Sequence, residues 1–434
     1  MLLTNVTYLD GESRLVSAPA IAIDQGRIAA ILTAEQPLPA ADKTLDGRGL
    51  LWMPGLCDGH THTSQQLLRG RLLDEKPVIW KRVNVPFESR LTEETSRLSA
   101  RLAALEMIKS GTTGFVDAGG KYPEAFAEIY DAAGLRGRLT YMTNDSPFAP
   151  DSLRTSVPET LERMERLRRS LSGRLGAYYS VTTLSVASRD LFHAVFSAAK
   201  DSGTPVEVHM NEYASEVLDF MERYDGQRPF TYLENQGLLG SPLIAPHCIF
   251  LSEEERDILA RRDIRVVHCP FSNCGKGIPP TPALLGRGVS VGLGSDGSAH
   301  GGLDLFRELR LFRSLMQVHW GVSAADSSVM PAETLLKLAT QGGAAALCLE
   351  DGGVIREGAV ADLIALDIDQ PHLWPTQNLV HSLVESASGR DVRHMVVDGR
   401  LLMEHRQVLT LDEEAIRAEC RRLFEQEPHL NHWA

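Results

Sequence analysis

The stretch GLCDGHTHTSQQLLRG, residues 55–70, contains two histidines separated by one residue, His60 and His62. Residues two apart in an extended strand point to the same face, so we expect both imidazoles on one side of the strand. The apolar run at 50–53 predicts that this strand is buried. Neighbouring imidazoles bind divalent metals of the zinc or iron type. In a chain with 14 histidines the pair gains its weight from the residues downstream.

The composition is that of a globular protein: 434 residues, 43% hydrophobic and 23% charged. This length accommodates a (β/α)8 barrel with a small satellite domain. The formal net charge of −13 argues against a nucleic-acid partner, because binding a phosphate backbone requires a basic face. A neutral or cationic small molecule fits better. No signal segment or membrane-spanning run is evident, so we expect a cytoplasmic protein with no membrane partner.

Six cysteines in so long a chain do not predict a disulfide framework, and a reducing compartment is expected. Cys269 and Cys274, with His268 beside them, could be considered as metal ligands. Their spacing matches no common zinc motif, so we favour packing roles for both cysteines.

Both ends of the chain alternate short apolar runs with turn signals such as Gln25-Gly26 and Asp398-Gly399, a pattern typical of antiparallel strands and tight hairpins. An amphipathic helix is predicted near the C-terminus. Neither end carries enough apolar surface to fold alone. We therefore expect residues 1–53 and 354–434 to form one small β-sandwich domain built from both termini.

Between these ends, residues 54–353 alternate apolar strands with helical periodicity, which indicates a parallel sheet of βα units. Eight strands are predicted, at 50–58, 112–118, 137–144, 175–183, 205–209, 242–248, 264–269 and 289–295. The intervening helices are predicted at 94–109, 122–133, 157–171, 188–201, 252–262 and 302–318. Eight such units are the count of a closed TIM-type barrel, and no phosphate-binding glycine motif follows any strand.

Metal-binding and titratable residues recur where these strands end, which is where barrel enzymes carry their catalytic groups. They are His60, His62, His209, His247, His268 and Asp296. Any one of them could be a hydrogen-bonded structural residue. Six at equivalent positions indicate a metal site at one mouth of the barrel.

Glu212 follows His209 by three residues, where the strand gives way to a helix. A carboxylate there can shuttle protons for a metal site, although a first-turn glutamate is also favoured by the helix dipole. No lysine occurs between Lys121 and Lys200, so the fourth strand cannot provide a carboxylated lysine that bridges two metals. A single metal ion is therefore favoured.

The chain resembles the amidohydrolase superfamily, and within it the one-metal deaminases of S-adenosylhomocysteine and 5'-methylthioadenosine and the related chlorohydrolases. The resemblance covers essentially the whole length. The matching stretches are MPGLCDGHTHTSQQLLRG, PFESRLTEE, IKSGTTGFVD, VEVHMNE, PHCIFLS, HCPFSNCGKGIPPTP, GLGSDGSAHGGLDLFRELRL and EGAVADLIALD.

The resemblance implies particular roles for the matching residues. His60, His62, His209 and Asp296 would hold one divalent metal ion, zinc or alternatively iron. Glu212, His247 and Asp296 would be catalytic, and His268 would shape the site without touching the metal. Glu88 matches a glutamate that binds ribose hydroxyls in nucleoside deaminases, with an exposed surface residue as the alternative.

The chain departs from the family at the fourth strand, where nucleoside deaminases carry a histidine that contacts the purine. Here the sequence is AYYSVTT, and Tyr179 could stack on a flat ring. Trp80, in the long segment after the first strand, and His300 are further candidate substrate contacts. A solvated loop position is the alternative for His300.

These observations predict a metal-dependent hydrolytic deaminase of an amino-substituted N-heterocycle, such as a purine, pterin, pyrimidine or nucleoside. Water activated by the metal would attack the ring carbon, and ammonia would leave. The alternatives are displacement of chloride or alkylamine from a triazine, hydrolysis of a cyclic amide, and a ligand-binding barrel without catalysis. We also expect a homodimer or a higher homo-oligomer.

Overall fold

Strands from both ends of the chain share one nine-stranded sheet in the computed structural model of the protein, which describes residues 1–76 and 78–426. The N-terminal strands are β1 (Leu2–Leu9), β2 (Leu15–Asp24), β3 (Arg27–Leu32), β4 (Thr44–Asp46) and β5 (Leu50–Pro54). β1 is antiparallel to β2 and parallel to β5. Between β2 and β3, Gln25 and Gly26 have φ angles of 47° and 77°, as a two-residue hairpin turn requires.

Parallel strands occupy the middle of the chain. They are β6 (Leu56–His62), β7 (Thr112–Asp117), β8 (Arg136–Leu139), β9 (Leu175–Ala177), β10 (Tyr179–Thr183), β11 (Val206–His209), β12 (Leu243–Pro246), β13 (Ile264–His268), β14 (Ser290–Leu293) and β15 (Asp296–Gly297). They form two five-stranded sheets, in the orders β15-β6-β7-β8-β9 and β10-β11-β12-β13-β14. Only Tyr178 separates β9 from β10, and only two residues separate β14 from β15. The ten strands therefore correspond to the eight predicted.

The predicted first strand, 50–58, is wrong in its boundaries. Its apolar half is β5, which belongs to the terminal sheet, and the histidines lie on the separate strand β6. Gly55 marks the crossing, because a side chain there would collide with Thr113 (2.1 Å from the Cβ position to Oγ1). Its backbone N–H donates to the carbonyl of Asp362. The absence of a side chain thus lets the chain pass from one sheet into the other.

The C-terminal strands complete the terminal sheet. They are β16 (Leu363–Asp367), β17 (Val392–Val397), β18 (Arg400–Glu404) and β19 (Gln407–Val408). β16 pairs antiparallel with β5 and so joins the two ends of the chain. Asp398 and Gly399, with φ angles of 52° and 71°, form the predicted tight turn between β17 and β18. The division into 1–53 plus 354–434 and 54–353 stays a prediction, and residues 427–434 lie outside the described residues.

Helices follow the strands of the middle region. The α-helices are α1 (Val85–Arg90), α2 (Glu93–Ser110), α3 (Pro123–Ala133), α4 (Val157–Ser170), α5 (Arg189–Ser202), α6 (Ala214–Arg223), α7 (Pro229–Asn235), α8 (Glu253–Arg261), α9 (Pro270–Asn273), α10 (Thr281–Gly286), α11 (Leu305–Met316), α12 (Val322–Ala324), α13 (Ala332–Lys337), α14 (Gly343–Ala346), α15 (Leu379–Glu385) and α16 (Glu413–Gln426). Tight 3₁₀ turns occur at Thr63–Leu68, Pro371–Leu373 and Gly389–Asp391, and wide π turns at Trp80–Asn84, Gln317–Gly321 and Leu338–Gly342. None of the described helices is long and apolar enough to cross a membrane.

Local sequence explains where the longer helices begin and end. Thr92 caps α2 through its hydroxyl, which accepts a hydrogen bond from the backbone of Thr95, and Gly111 ends the helix at φ 87°. Apolar side chains then pack the helices on the strands: Phe115 and Tyr130 are buried with their rings 4.6 Å apart. Burying each such side chain contributes roughly 1.5–3 kcal/mol. This packing fixes the strand ends that carry the polar residues.

Candidate metal centre and active site

His60 and His62 lie at the carboxyl end of β6, with ring centres 5.1 Å apart and planes nearly perpendicular. His60 is completely buried, and the His62 side chain is 12% exposed. Thr61, between them, donates a hydrogen bond from its hydroxyl to the backbone carbonyl of Asp296. The strand therefore presents both imidazoles to the same space, as their spacing predicted.

His209, at the end of β11, and Asp296, at the start of β15, complete a four-residue cluster with these histidines. Nε2 of His62 is 3.2 Å from Nε2 of His209. Oδ1 of Asp296 is 3.5 Å from Nε2 of His60 and 3.4 Å from Nε2 of His62. Ligand atoms about 2.1 Å from a tetrahedral ion lie roughly 3.4 Å apart. The cluster thus has the donor set and the spacing of a divalent metal site.

Hydrogen bonds behind two of the rings determine which nitrogens are free. Nδ1 of His60 donates to Oε1 of Glu207 (2.6 Å), and Nδ1 of His209 donates to the carbonyl of Thr182 (2.7 Å). A neutral ring whose Nδ1 donates keeps a lone pair on Nε2. Nε2 of His60 is buried and has no hydrogen-bond partner among the described residues. Burial and the neighbouring histidines hold the pKa of His209 well below its usual value, so its ring is neutral and suited to a metal. Burial lowers the pKa of His60, but Asp296 and Glu207 outweigh burial and raise it to about 10.

Glu207 is a site residue that the sequence analysis did not identify. It lies on β11 two residues before His209, and its side chain is 2% exposed. A carboxylate that accepts from the distal nitrogen of a ligating histidine orients the ring and raises its basicity. The available signal was the alternation in VEVH, which places Glu207 on the same face as His209.

The two carboxylate oxygens of Asp296 face different partners. Oδ1 faces the β6 histidines, whereas Oδ2 accepts a hydrogen bond from the Ser272 hydroxyl and lies 3.5 Å from Nζ of Lys276 and 3.9 Å from Nε2 of His247. Burial raises the pKa of Asp296, but Lys276 and the histidines outweigh burial and hold the pKa well below its usual value. Asp296 has a φ of 59°, a strained backbone conformation typical of functional sites.

Glu212 and His247 stand beside the metal cluster. Oε1 of Glu212 is 3.7 Å from Nε2 of His247 and 2.5 Å from Nζ of Lys276. Nδ1 of His247 is 2.9 Å from Oδ1 of Asn273, which fixes the ring. Because that nitrogen donates, Nε2 presents a lone pair towards Glu212 and Asp296. Glu212 and His247 can therefore accept and donate protons beside the candidate metal cluster.

His268 does not join either cluster of candidate metal ligands among the described residues. Its Nδ1 is 2.8 Å from Oγ1 of Thr281, and burial lowers its pKa to about 3. His268 is thus a neutral, buried ring at the end of β13. Cys269 is packed in the core, and the exposed Cys274 bonds through Sγ to the carbonyl of Pro270, so neither cysteine approaches the cluster.

A pocket opens in front of the cluster. Besides His62, His209, Glu212 and Asp296, its walls are formed by Gln65, Trp80, Asn84, Val85, Glu88, Met142, Thr182 and Thr183. Glu88 is buried, and its Oε1 accepts hydrogen bonds from Ser64 Oγ (2.6 Å) and Gln65 Nε2 (3.2 Å). Burial raises the pKa of Glu88. Of the residues considered as substrate contacts, Glu88 and Trp80 therefore line the pocket.

His300 lines an adjoining chamber, which shares Trp80, Asn84 and Glu212 with the pocket. Burial lowers the pKa of His300, which favours a neutral ring. Trp80 borders both spaces, and its indole N–H is buried without a hydrogen-bond partner among the described residues. The structure thus places His300 in the adjoining chamber and not among the residues that line the main pocket.

Tyr179 does not lie in the pocket, and its assignment as a substrate contact is corrected. Its hydroxyl donates to Oε2 of Glu165 on α4, and its ring packs in the core between strands and helices. Tyr178 is buried on the other side and donates to the backbone carbonyl of Ala346. Thr182 and Thr183, where the pairing of β10 with β11 shifts in register, occupy the pocket wall instead.

The amidohydrolase family pattern matches residues 51–402. The chain belongs to the amidohydrolase family. It is 38% identical over 442 residues to the 5-methylthioadenosine/S-adenosylhomocysteine deaminase of Syntrophobacter fumaroxidans, covering 97% of each chain. It is 33% identical to the 5'-deoxyadenosine deaminase of Methanosarcina acetivorans, with 97% and 96% covered.

The fold is similar to the solved structure of an adenosine deaminase from Xanthomonas campestris with bound zinc. The TM-score is 0.91 and the identity 28%, over 98% of both chains. The amidohydrolase chain accordingly has a TIM-barrel-type fold with α/β content. The relatives confirm the predicted reaction class, a hydrolase acting on C–N bonds of a cyclic, amino-substituted substrate by deamination.

Proposed function

We propose that this amidohydrolase is a deaminase of adenosine-type nucleosides that depends on one divalent ion, with zinc as the first candidate and iron as the second. The observation that carries the proposal is the convergence of four ligand atoms, from His60, His62, His209 and Asp296, within 4.8 Å. A metal bound by them would supply Lewis acidity and lower the pKa of coordinated water. Metal analysis of the purified protein tests both the stoichiometry and the identity of the ion.

In the proposed reaction, different residues beside the metal cluster accept and deliver protons. Nε2 of His247 and Oδ2 of Asp296, 3.9 Å apart, are placed to accept the proton of the attacking water. Glu212 would deliver one proton of the water to the ring nitrogen next to the reacting carbon, and the second proton, passed on by His247 or Asp296, to the departing amine. Ammonia leaves, and the ring carbon that carried it becomes a carbonyl. Glu212 suits this role because it lies in the pocket wall beside both groups.

Glu88 supports a nucleoside rather than a free base as the substrate. One of its oxygens is occupied by Ser64 and Gln65, which hold the carboxylate in place inside the pocket. A fixed carboxylate can accept hydrogen bonds from the two hydroxyls of a ribose. The relatives that deaminate 5'-substituted adenosines agree with this assignment.

The fourth predicted strand lacks the histidine that contacts the purine in nucleoside deaminases, so a different contact to the base is expected there. The pocket wall there carries Thr182 and Thr183, and the Thr182 hydroxyl donates to the carbonyl of Thr143 (2.6 Å). That hydroxyl is therefore already used, and it offers the purine an acceptor rather than a donor. We propose that this wall contacts the base mainly through its shape.

The test is a substrate panel with the zinc-loaded protein. Adenosine, 5'-methylthioadenosine, 5'-deoxyadenosine, S-adenosylhomocysteine, free aminopurines, pterins, pyrimidines and triazines are followed by ammonia release. We expect turnover of the nucleosides. Glu88→Ala should lower kcat/KM for them by about 100-fold, because the ribose hydroxyls lose the carboxylate that accepts their hydrogen bonds. Free bases should be affected much less. Release of chloride or alkylamine from a triazine without nucleoside turnover would contradict the proposal.

The finer architecture is also part of the proposal. The near-continuous junctions between β9 and β10 and between β14 and β15 support a closed (β/α)8 barrel. The nine-stranded terminal sheet encloses its own apolar cluster, which includes Leu3, Trp52 and Val396, and this supports a small sandwich. Association into a homodimer or larger oligomer stays a prediction that light scattering can test.

A further inference from the structure

Ser272 and Lys276, which follow β13, connect the two carboxylates of the site. Nζ of Lys276 is 2.5 Å from Oε1 of Glu212 and 2.6 Å from Oγ of Ser272. The Ser272 hydroxyl in turn donates to Oδ2 of Asp296. A chain of hydrogen bonds therefore runs from the ammonium group to both carboxylates.

The ammonium group is enclosed by these partners. The Lys276 side chain is 10% exposed, and Nζ also lies 3.5 Å from Oδ2 of Asp296 and 5.6 Å from the ring centre of Tyr213. Burying a charge of this kind is unfavourable unless partners of opposite charge compensate for it. Here Glu212 and Asp296 are those partners. Among the described residues, Lys276 forms ion pairs with these two carboxylates alone.

The direction of the hydrogen bonds adds a second argument. An ammonium group donates and cannot accept, so the Ser272 hydroxyl accepts a hydrogen bond from Lys276 and donates one to Asp296. Oδ2 of Asp296 is thereby held away from the β6 histidines, and Oδ1 is left to face them. On the other branch, Lys276 holds Oε1 of Glu212 on the side of His247.

We infer that Lys276, acting directly on Glu212 and through Ser272 on Asp296, is a positioning residue that fixes both carboxylates in their reactive orientations. This inference rests on the proposed deamination, in which Glu212 moves protons and Asp296 accepts one. Without the ammonium group, two carboxylates would face the same small space with no cation of the chain between them. Each would then be free to turn away from His247.

Lys276 also borders the open chamber that contains Ser272, Gly275 and His300. Shortening the side chain would therefore leave a space that a small amine can reach from solvent. This geometry allows a chemical rescue experiment, in which an added ammonium ion replaces the missing one.

The experiment compares zinc-loaded wild-type protein with Lys276→Ala, following the change in ultraviolet absorbance as the aminopurine becomes an oxopurine. We expect kcat to fall by about 100-fold, with KM and zinc content near those of the wild type, because orientation is lost and binding is not. Methylammonium should raise kcat of Lys276→Ala by at least about tenfold. Tetramethylammonium, which has no N–H group, should leave kcat of the variant unchanged.

Matched variants separate positioning from general damage. Lys109→Ala removes a lysine whose Nζ is 2.6 Å from Oε2 of Glu413 on α16, and it should leave kcat unchanged. Lys276→Arg retains the charge and donors and should keep activity within about tenfold of the wild type; it also serves if Lys276→Ala does not fold. An unchanged kcat in Lys276→Ala, or a loss that neither methylammonium nor arginine restores, would overturn the inference.

Crystal structures of the zinc-loaded wild type and Lys276→Ala decide the same question without turnover. We expect Lys276 within hydrogen-bond distance of Glu212 in the wild type, and a displaced Glu212 carboxylate in the variant. An identical Glu212 position in both would overturn the inference. If the wild-type protein deaminates no compound of the panel, the proposed function fails, and the two structures still decide whether Lys276 positions Glu212.

Discussion

Replacing Glu207 by Gln measures how strongly the carboxylate behind His60 supports the metal site. The two side chains are both buried, and Oε1 of Glu207 is 2.6 Å from Nδ1 of His60. The amide oxygen of glutamine can still accept from Nδ1, so the ring keeps its orientation while the negative charge is lost. Removing such a partner lowers metal affinity by about 10- to 100-fold.

The burial of this pair places the expected effect near the upper end of that range. A short, charge-assisted hydrogen bond in a water-free interior is stronger than an exposed one. We therefore expect zinc to bind Glu207→Gln about 100-fold more weakly, a free-energy loss of about 2.7 kcal/mol. Glu207→Ala should lose more, because it leaves the buried Nδ1–H of His60 without an acceptor, at a further cost of about 1–3 kcal/mol.

Competition with a chromophoric chelator gives the zinc dissociation constant of each variant. Glu413→Gln is the control, because its carboxylate pairs with Lys109 away from the site and should not influence zinc. Agreement between Glu207→Gln and the wild type within about twofold would refute the reasoning, since it would mean that the carboxylate contributes nothing to the metal.

Three further outcomes are expected. Glu212→Gln should abolish turnover while zinc content stays near normal, and wild-type rates in this variant would exclude the proton-transfer role. Burial raises the pKa of Glu308 to about 8, so the folded state keeps a proton that the unfolded chain releases above about pH 4.3. The contribution of Glu308 to stability should therefore fall as pH rises from about 4.3 to 8, and Glu308→Gln should gain stability relative to the wild type over this window in urea unfolding; an equal difference at pH 5 and pH 8.5 would count against this. Removing zinc with a chelator should lower the thermal unfolding midpoint, and zinc should restore it in the wild type but much less in His62→Ala.

Strand periodicity was sufficient to place six candidate residues at one mouth of the barrel, and the resemblance to the amidohydrolases implied which four of them would bind a metal. His60 and His62 are two residues apart, so they had to share a face, and His209 and Asp296 adjoin strand ends that meet at one edge of parallel sheets. The first strand was misplaced because an apolar run does not reveal which of two sheets receives it, and Gly55 was the only local sign of the crossing.

The fourth strand shows where periodicity fails. The prediction treated 175–183 as one strand, but the chain forms β9 and β10 with Tyr178 between them. Tyr179 then faces the helices, and Thr182 and Thr183, at a register shift in the pairing of β10 with β11, line the pocket. An aromatic side chain is a natural candidate for stacking on a base, but the face it occupies depends on a strand interruption that composition does not encode.

Two residues of the site, Glu207 and Lys276, were not predicted, and they differ in whether they lie on a regular strand. Glu207 obeys the period of two and lies on the face of His209, so it was predictable, although its partner His60 is 147 residues away. Lys276 lies on an irregular segment after β13, where no repeat fixes the direction of a side chain. Its contact with Glu212 therefore follows only from the path of that segment, which no periodic pattern in the sequence determines.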